Sequence, residues 1–502
     1  MPYAATPGCN RPDASTKNKK GERHPVIVSP KKKRRTGRLA RRIAAVLLLA
    51  YALGALLPCA LPPQLSPEAA ADTSWMETEA SDLNANRARL IATGEEALEI
   101  RLALITSAQR SIDLGTYLFA PDESGRKVAA ALLAAADRGV RVRLITDGLI
   151  GWFNLANDPL GPALGAHPNV EIKFYNPVDL LRPQGLNARY HEKFFLVDDT
   201  WLLLGGRNVS DEFLTGAGDP SYNYDQDVLL YRTDHALKDA AAQMRSYFDA
   251  LWTSSLCALR YDDPAALEQA AVRQCREELN ALWDALATDF SLELPDPYAA
   301  MVPVEKTLLL TNPTAAEPSA PVAWNRLCQL METAEERLWM VTPYLVMDGP
   351  MRDRLAAVCA AGPGDTRILV NSRESGNNII ASADYTIHRP MAQRLGAALW
   401  EFQGAWSMHT KSVLVDDTLS VFGSFNFDPR SVYLDTELML AVYSPELNAQ
   451  LAEHMESLWQ QSLRRDNGGY GEGTADPQTA SFWKMALITA LSPLVSLVRF
   501  LV

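Results

Sequence analysis

The chain has 502 residues, 47% of them hydrophobic and 22% charged, enough for two sizeable cores. Its formal net charge of −12 is unevenly placed: residues 1–42 hold 13 Lys/Arg against 2 Asp/Glu, and the remainder holds 35 against 58. So acidic a body is a poor partner for a nucleic-acid backbone, whose binding relies on basic surface, and no cysteine pair has a zinc-ligand spacing.

Residues 1–42 are polar and basic, with KKKRR at 31–35, and read as a disordered region. An apolar segment follows at once, IAAVLLLAYALGALLPCALPP from Ile43. It is uncharged over roughly the 20 residues that a spanning helix needs. Its basic flank therefore reads as cytoplasmic under the positive-inside rule rather than as a nuclear signal. Residues 43–62 are expected to be an uncleaved anchor, with the body outside the cytoplasm. The rival is a cleaved signal peptide, whose nearest small-x-small site, around 69–71, is distant. Residues 63–84 are rich in Pro, Ala and Ser and form a linker.

The first domain is assigned to 85–300. Ser111–Phe119 (SIDLGTYLF) reads as a strand, Ser124–Arg138 as a helix and Val140–Thr146 (VRVRLIT) as a strand, a βαβ unit. Then comes YHEKFFLVDDTWLLLGGRN, Tyr190 to Asn208. The apolar run after His191 predicts a strand, so His191 and Lys193, two apart, share a face. An imidazole beside an ammonium suits phosphodiester chemistry. The Lys neutralises phosphate oxygens, and the His attacks phosphorus or moves a proton. Asp198 belongs to the same motif. It lies an odd number of positions from His191 and opens a turn, so its expected role is to build that turn or to orient the Lys. Gly205-Gly206 returns the chain to the site, and Asn208 follows as a phosphate donor. In YDQDVLL, Asp225 and Asp227 come next. Residues 235–300 are helical in pattern, as an insert or a cap. Cys257 and Cys275 either pair in an oxidising compartment or remain buried thiols.

The second domain, 301–480, repeats this order. Arg337–Tyr344, Met351–Ala361 and Thr366–Asn371 match the strand, helix and strand of the first, giving two α/β domains of similar fold. The lone His388 reads as structural. MHTKSVLVDDTLSVFGSFN, Met408 to Asn426, is the second copy of the motif, with His409, Lys411, Asp416, Ser424 and Asn426 in the matching places. Ser424 and Asn426 are phosphate-binding candidates, and Gly206 leaves the first copy without the hydroxyl. Asp435 and Glu437 in LDTELML match Asp225 and Asp227. One His-x-Lys would be ordinary surface decoration. Two with identical spacing, each with the Gly-x-Asn return and a later acid, point to half-sites facing each other across a pseudo-dyad. Lys and Asn are poor metal ligands, so the site reads as metal-free. The tail, 481–502, is apolar, with Lys484 and Arg499 near its ends and Pro493 within. It reads as a membrane-interfacial segment with Trp483 at headgroup level; a helix packed on the domain is the alternative.

The duplicated His/Lys/Asp motif resembles the phospholipase D superfamily, over about residues 90–480. SIDLGTYLF, GGRNVSDEF and SFNFDPRS followed by DTE resemble bacterial cardiolipin synthases, particularly their type C branch. The resemblance implies two α/β/α sandwich domains with one active site at their interface and no cofactor. It implies that His191 attacks phosphorus, forming a phosphohistidine, while His409 serves as acid and base, and that Asp227 and Glu437 are the acids that orient the reactive histidine. The implied reaction is phosphatidyl transfer to phosphatidylglycerol, with phosphatidylglycerol or phosphatidylethanolamine as donor, at a bacterial inner membrane with periplasmic catalytic domains. Hydrolysis by a phospholipase D, another phosphodiesterase or nuclease of the superfamily, and a lipid-binding scaffold remain the alternatives. A scaffold would be expected to have lost a His or a Lys, and neither copy has.

Overall fold

A computed structural model describes residues 31–77, 86–155, 158–233, 238–289, 292–467 and 469–502. Most of the expected basic region and part of the linker lie outside the described residues. Among those described, one helix is long and apolar enough to cross a membrane, Arg38–Ala60, within the helix Lys31–Ala60. An export signal shares that length and composition.

Ten strands precede Lys306: β1 (Asn86–Ile91), β2 (Ser111–Thr116), β3 (Arg141–Asp147), β4 (Val170–Tyr175), β5 (Lys193–Val197), β6 (Trp201–Gly205), β7 (Asn223–Tyr224), β8 (Asp227–Tyr231), β9 (Cys257–Arg260) and β10 (Val302–Val304). All but β7 form one mixed sheet, ordered β10-β1-β8-β6-β5-β2-β3-β4-β9. Ten more follow: β11 (Lys306–Thr311), β12 (Arg337–Val341), β13 (Asp365–Asn371), β14 (Ala398–Phe402), β15 (Ser407–Met408), β16 (Ser412–Val415), β17 (Leu419–Gly423), β18 (Leu438–Tyr443), β19 (Ser462–Asp466) and β20 (Gly469–Tyr470). All but β15 form a second sheet, β11-β18-β17-β16-β12-β13-β14-β19-β20. The strand order around β5 is thus repeated around β16, and the fold is α/β and duplicated.

Side-chain pattern explains the layering. β2 and β5 are buried at every position, as strands covered on both faces must be. The helices after β2 and β12 start alike. Asp122 accepts the Gly125 N–H at 2.9 Å, and Asp348 accepts the Met351 N–H at 2.9 Å, each supplying a partner to an otherwise unpaired donor. One face of each sheet packs on its own helices: Ile112, Leu114 and Val142 in the first half, Leu338, Met340 and Ile368 in the second. The other faces meet. Phe194, Leu196 and Leu204 join Trp339, Val341 and Leu414 in one core shared by both halves. Parting the halves would expose those side chains, at roughly 1.5–3 kcal/mol each.

The stretch expected to be helical, 235–300, contains the helices Ala240–Thr253 and Ala270–Asp289 but also β9, which pairs antiparallel with β4 at the sheet edge. Cys257 and Cys275 are both buried and unpaired, and they lie in different cores. β10 pairs with β1, so Val302–Val304 belongs to the first sheet although it follows the expected boundary at 300. The tail forms a helix, Phe482–Leu497, that continues through Pro493. Its inner face, Ile488 and Val495, packs near Ile379 and Ala383. Its outer face leaves Phe482, Trp483, Leu494 and Leu497 exposed. His388 Nε2 lies 2.9 Å from Ser496 Oγ, a link between the two helices.

Candidate active site

Both histidines stand where a strand is about to enter its sheet, β5 after His191 and β16 after His409. Each is held there by the opposite half. His191 N–H donates to Thr436 O at 3.2 Å, and His409 N–H donates to Tyr224 O at 2.7 Å. A short parallel pair, β7 with β15, ties the halves beside His409.

Side chains cross in the same way. His191 Nδ1 lies 2.8 Å from Glu437 Oε1, and His409 Nδ1 lies 2.6 Å from Asp225 Oδ2. A carboxylate at Nδ1 places the proton there and leaves the Nε2 lone pair for chemistry; that tautomer is assigned from the bonding. Asp227 was expected to be a histidine-orienting acid, and here the structure corrects the expectation. Asp227 Oδ2 accepts from Arg101 at 2.9 Å and from Arg207 at 3.2 Å, all three side chains buried. The reason is register. Gly206 N–H donates to Gln226 O, and Ser424 N–H donates to Leu438 O. Gln226 is therefore the counterpart of Leu438, and Asp225 is the counterpart of Glu437. The sequence match D-x-D with D-x-E slips the first copy by two residues, a shift that keeps every side chain on its face.

The same alignment explains the Gly206/Ser424 difference. A Cβ on Gly206 would stand 2.4 Å from both Asp225 carboxylate oxygens. Asp225 occupies the space that a side chain would need. Ser424 Oγ, fully buried, donates to Glu437 Oε2 and accepts from Leu438 N–H at 3.1 Å. It therefore positions Glu437 rather than binding phosphate, a second correction. Ser431 Oγ donates to Glu437 Oε1 at 2.6 Å.

The lysines are buried beside their histidines. Lys193 Nζ donates to His191 O at 2.5 Å. Lys411 Nζ donates to His409 O and lies 2.7 Å from His409 Nδ1 and 3.1 Å from Nε2. Burial lowers Lys193 to about 7 and Lys411 to about 8. Burial and the neighbouring Lys193 push His191 well below its ordinary value, and burial with Lys411 takes His409 to about 3. Both imidazoles are thus neutral at rest. Burial raises Glu437 to about 7, whereas Asp225, despite burial, is held down at about 2 by Lys411, His409 and Arg207.

Asp198 and Asp416, the aspartates of the two catalytic motifs, lie at the far ends of β5 and β16. Both have positive φ, 52° and 47°. Asp198 accepts the backbone N–H groups of Gln109, Arg110 and Ser111, each at 2.8 Å. Asp416 accepts those of Glu335, Glu336 and Arg337 at 3.1, 2.8 and 3.0 Å. They build the turn and splice it to the strand beside it. Turn-building is one of the two roles expected of them, and neither side chain bonds to a lysine.

A cavity of about 680 Å³ opens over both imidazoles. Asn208 and Asn426 line it. Asn208 Oδ1 accepts from Leu118 N–H at 3.3 Å, which leaves its amide N–H groups to donate to an anion. The wall also holds groups that motif spacing did not single out: Arg189, Arg430, Tyr117, Tyr344, Asp428 and Asn378. Arg430 was visible in SFNFDPRS, but only as part of a resemblance. Tyr117 packs edge-on to His191 at 5.3 Å, and Phe213 packs edge-on to His409 at 5.0 Å. Two imidazoles and two amide side chains line one cavity, with a lysine buried beside each imidazole, a set that can hold a phosphodiester and attack it.

A family model described as cardiolipin synthase, PLD-like domain, matches residues 102–252 and 327–459. Cardiolipin synthase C of Escherichia coli (strain K12) is 30% identical over 459 residues, covering 79% of this chain and 92% of that one. Cardiolipin synthase A of Cronobacter sakazakii (strain ATCC BAA-894) is 26% identical over 378 residues, 73% of this chain and 68% of that one. Among solved structures, the phosphatidylserine synthase of Haemophilus influenzae Rd KW20 has a similar fold, with a TM-score of 0.60, 17% identity, and coverage of 85% of this chain and 98% of that one.

Proposed function

We propose, since this chain belongs to the cardiolipin synthase family of phospholipase D-like enzymes, that it is a phosphatidyltransferase making cardiolipin through a phosphohistidine. The observation that carries the reading is the reciprocal site: each imidazole is held at Nδ1 by a carboxylate of the other half, and both face one cavity. His191 Nε2 attacks phosphorus of the donor phospholipid, a P–N bond forms, and the bond from phosphorus to the headgroup oxygen breaks. The leaving alkoxide takes the Nε2 proton of His409, which the imidazole gains from water once the bound phosphodiester's negative charge has raised its basicity. The free hydroxyl of phosphatidylglycerol then gives its proton to His409 and attacks phosphorus, releasing His191. Asp225 supports this division of labour. Held anionic at 2.6 Å, it can stabilise His409 as imidazolium once the substrate's charge has entered. Lys193, Lys411, Asn208 and Asn426 would neutralise and hold the phosphate oxygens. The donor is phosphatidylglycerol or phosphatidylethanolamine.

The helix Arg38–Ala60 is read as an anchor with its basic flank in the cytoplasm and the catalytic body outside. A reporter fused after residue 85 should then be active only when exported; a cytoplasmic signal would overturn that orientation. The tail's exposed outer face would lie at the headgroup plane, favouring lipid hydroxyls over water as acceptors.

Purified protein in mixed lipid micelles, with products resolved by mass, tests the reaction. Cardiolipin is expected from phosphatidylglycerol, with labelled donor trapped on one histidine only. His191→Ala and His409→Ala should each abolish turnover. Release mainly of phosphatidic acid would replace transfer by hydrolysis, and substantial activity in either variant would sink the shared site.

A further inference from the structure

The mouth of the cavity is edged by large apolar side chains that face solvent. Leu149 and Ile150 line the cavity. Trp152 and Phe153 follow on the helix Ile150–Leu155, 52% and 58% exposed, their rings edge-on at 5.0 Å. Leu186 and Asn187 line the cavity too, and the loop leading to them carries Leu180 and Leu181, 68% and 91% exposed. From the other half, Ile380 lines the cavity and is itself 51% exposed. These segments follow the carboxyl ends of β3, β4 and β13, so they share the edge of the fold on which the cavity opens.

Two observations select the occupant of this rim. First, the loop touches Gly54 and Ala55 near the carboxyl end of the one described helix apolar enough to span a bilayer. Asn187 donates to Ala55 O at 3.0 Å, and Gly54 lies so close that a Cβ there would stand 3.3 Å from Pro183 Cγ. Second, the rim carries almost no free charge to oppose burial in lipid. Ile150–Leu155 has none, and in the loop Asp179 and Arg182 lie 3.6 Å apart as an ion pair. A Trp and a Phe beside leucines suit the boundary between headgroups and acyl chains.

We propose that Trp152, Phe153, Leu180 and Leu181 insert into the bilayer surface, so that the cavity opens into the leaflet and takes its lipids without passing them through water. This rests on the reading of the substrates as phospholipids. These four residues come from the first half of the chain, whereas the tail helix Phe482–Leu497 comes from the second.

The full chain, reconstituted into vesicles of phosphatidylcholine and phosphatidylglycerol with labelled acyl chains, tests it. A photo-crosslinking residue, p-benzoylphenylalanine, replaces Phe153, Leu181 or, as control, Tyr298. Tyr298 is 65% exposed and packs on Arg87 at the opening of β1, at the opposite edge of the sheet. Label is expected on acyl chains at 153 and 181 and not at 298. Crosslinks at 153 and 181 to a second copy of the chain, or no crosslinks to lipid there, would overturn the proposal. The pair Phe153→Ser with Leu181→Ser should also lower kcat/KM on vesicles roughly tenfold while leaving turnover of monomeric short-chain phospholipid unchanged; an equal loss on both substrates would count against it. Crosslinking does not depend on turnover. Lipid labelling without cardiolipin formation would leave the rim standing and remove the reaction, and cardiolipin formation without labelling would do the reverse.

Discussion

Asp225 Oδ2 lies 2.6 Å from His409 Nδ1, and the two residues come from opposite halves of the chain. Two positions further on, Asp227 faces Arg101 and Arg207 in the interior of its own half. Neighbours in sequence, the two acids have separable tasks. Asp225→Asn should keep the fold and lower kcat on the order of 10³–10⁴-fold, as loss of a histidine-orienting carboxylate does elsewhere. Asp227→Asn should instead cost about 3–5 kcal/mol of stability, because two buried guanidinium groups lose their counter-charge. Thermal melting and kcat, measured on both variants, distinguish the cases. The reverse pattern would return Asp227 to the site.

Gly206 and Ser424 occupy matching positions but are not interchangeable. Gly206→Ser would place its Cβ against both oxygens of Asp225. The overpacking should cost about 1–3 kcal/mol. It should appear chiefly as lower kcat, because the group displaced is the one that holds His409. Ser424→Ala removes a buried donor from Glu437 and should lower stability by about 1–3 kcal/mol. If Gly206→Ser lowered KM for phospholipid instead, the hydroxyl would be a phosphate ligand after all.

The duplication was legible because β5 and β16 lie deep between layers and each carries its motif as an unbroken apolar run behind a His-x-Lys pair. The carboxylate partner of His409 was not. A two-residue slip along a strand leaves faces unchanged, so periodicity alone cannot choose between Asp225 and Asp227; only the Gly206–Gln226 pairing does. β9 was hidden for a different reason. Four residues at a sheet edge, Cys257–Arg260, are too short to impose a period on a helix-rich stretch. Arg189 stands in a loop and Arg430 in the short helix Pro429–Tyr433, where no periodic pattern marks them, and only the folded cavity brings them beside the imidazoles.

Asp198 and Asp416 each receive three backbone N–H groups from the neighbouring segment and sit at positive φ. Asp416→Ala should therefore act through the fold. Three donors lose their acceptor, and alanine tolerates the left-handed backbone poorly, together about 1–3 kcal/mol. The melting temperature should fall while kcat per folded molecule stays within a few-fold of the parent. A loss of more than a thousandfold in kcat at an unchanged melting temperature would give Asp416 a direct part in the chemistry.

The pH profile should report the lysines. Burial brings Lys193 to about 7 and Lys411 to about 8 in the empty site. A lysine loses its positive charge as pH rises through its folded-state pKa, so the empty site loses its attraction for a phosphodiester above neutrality. kcat/KM, which reports the free enzyme, should decline from about pH 7–8 upward. Once a phosphodiester is bound, its negative charge favours the protonated ammonium and raises both values. The decline in kcat should therefore begin at higher pH than the decline in kcat/KM. Steady-state rates from pH 5 to 10 in detergent micelles measure both limbs. A kcat/KM flat to pH 10 would mean that the lysines stay fully charged in the empty site.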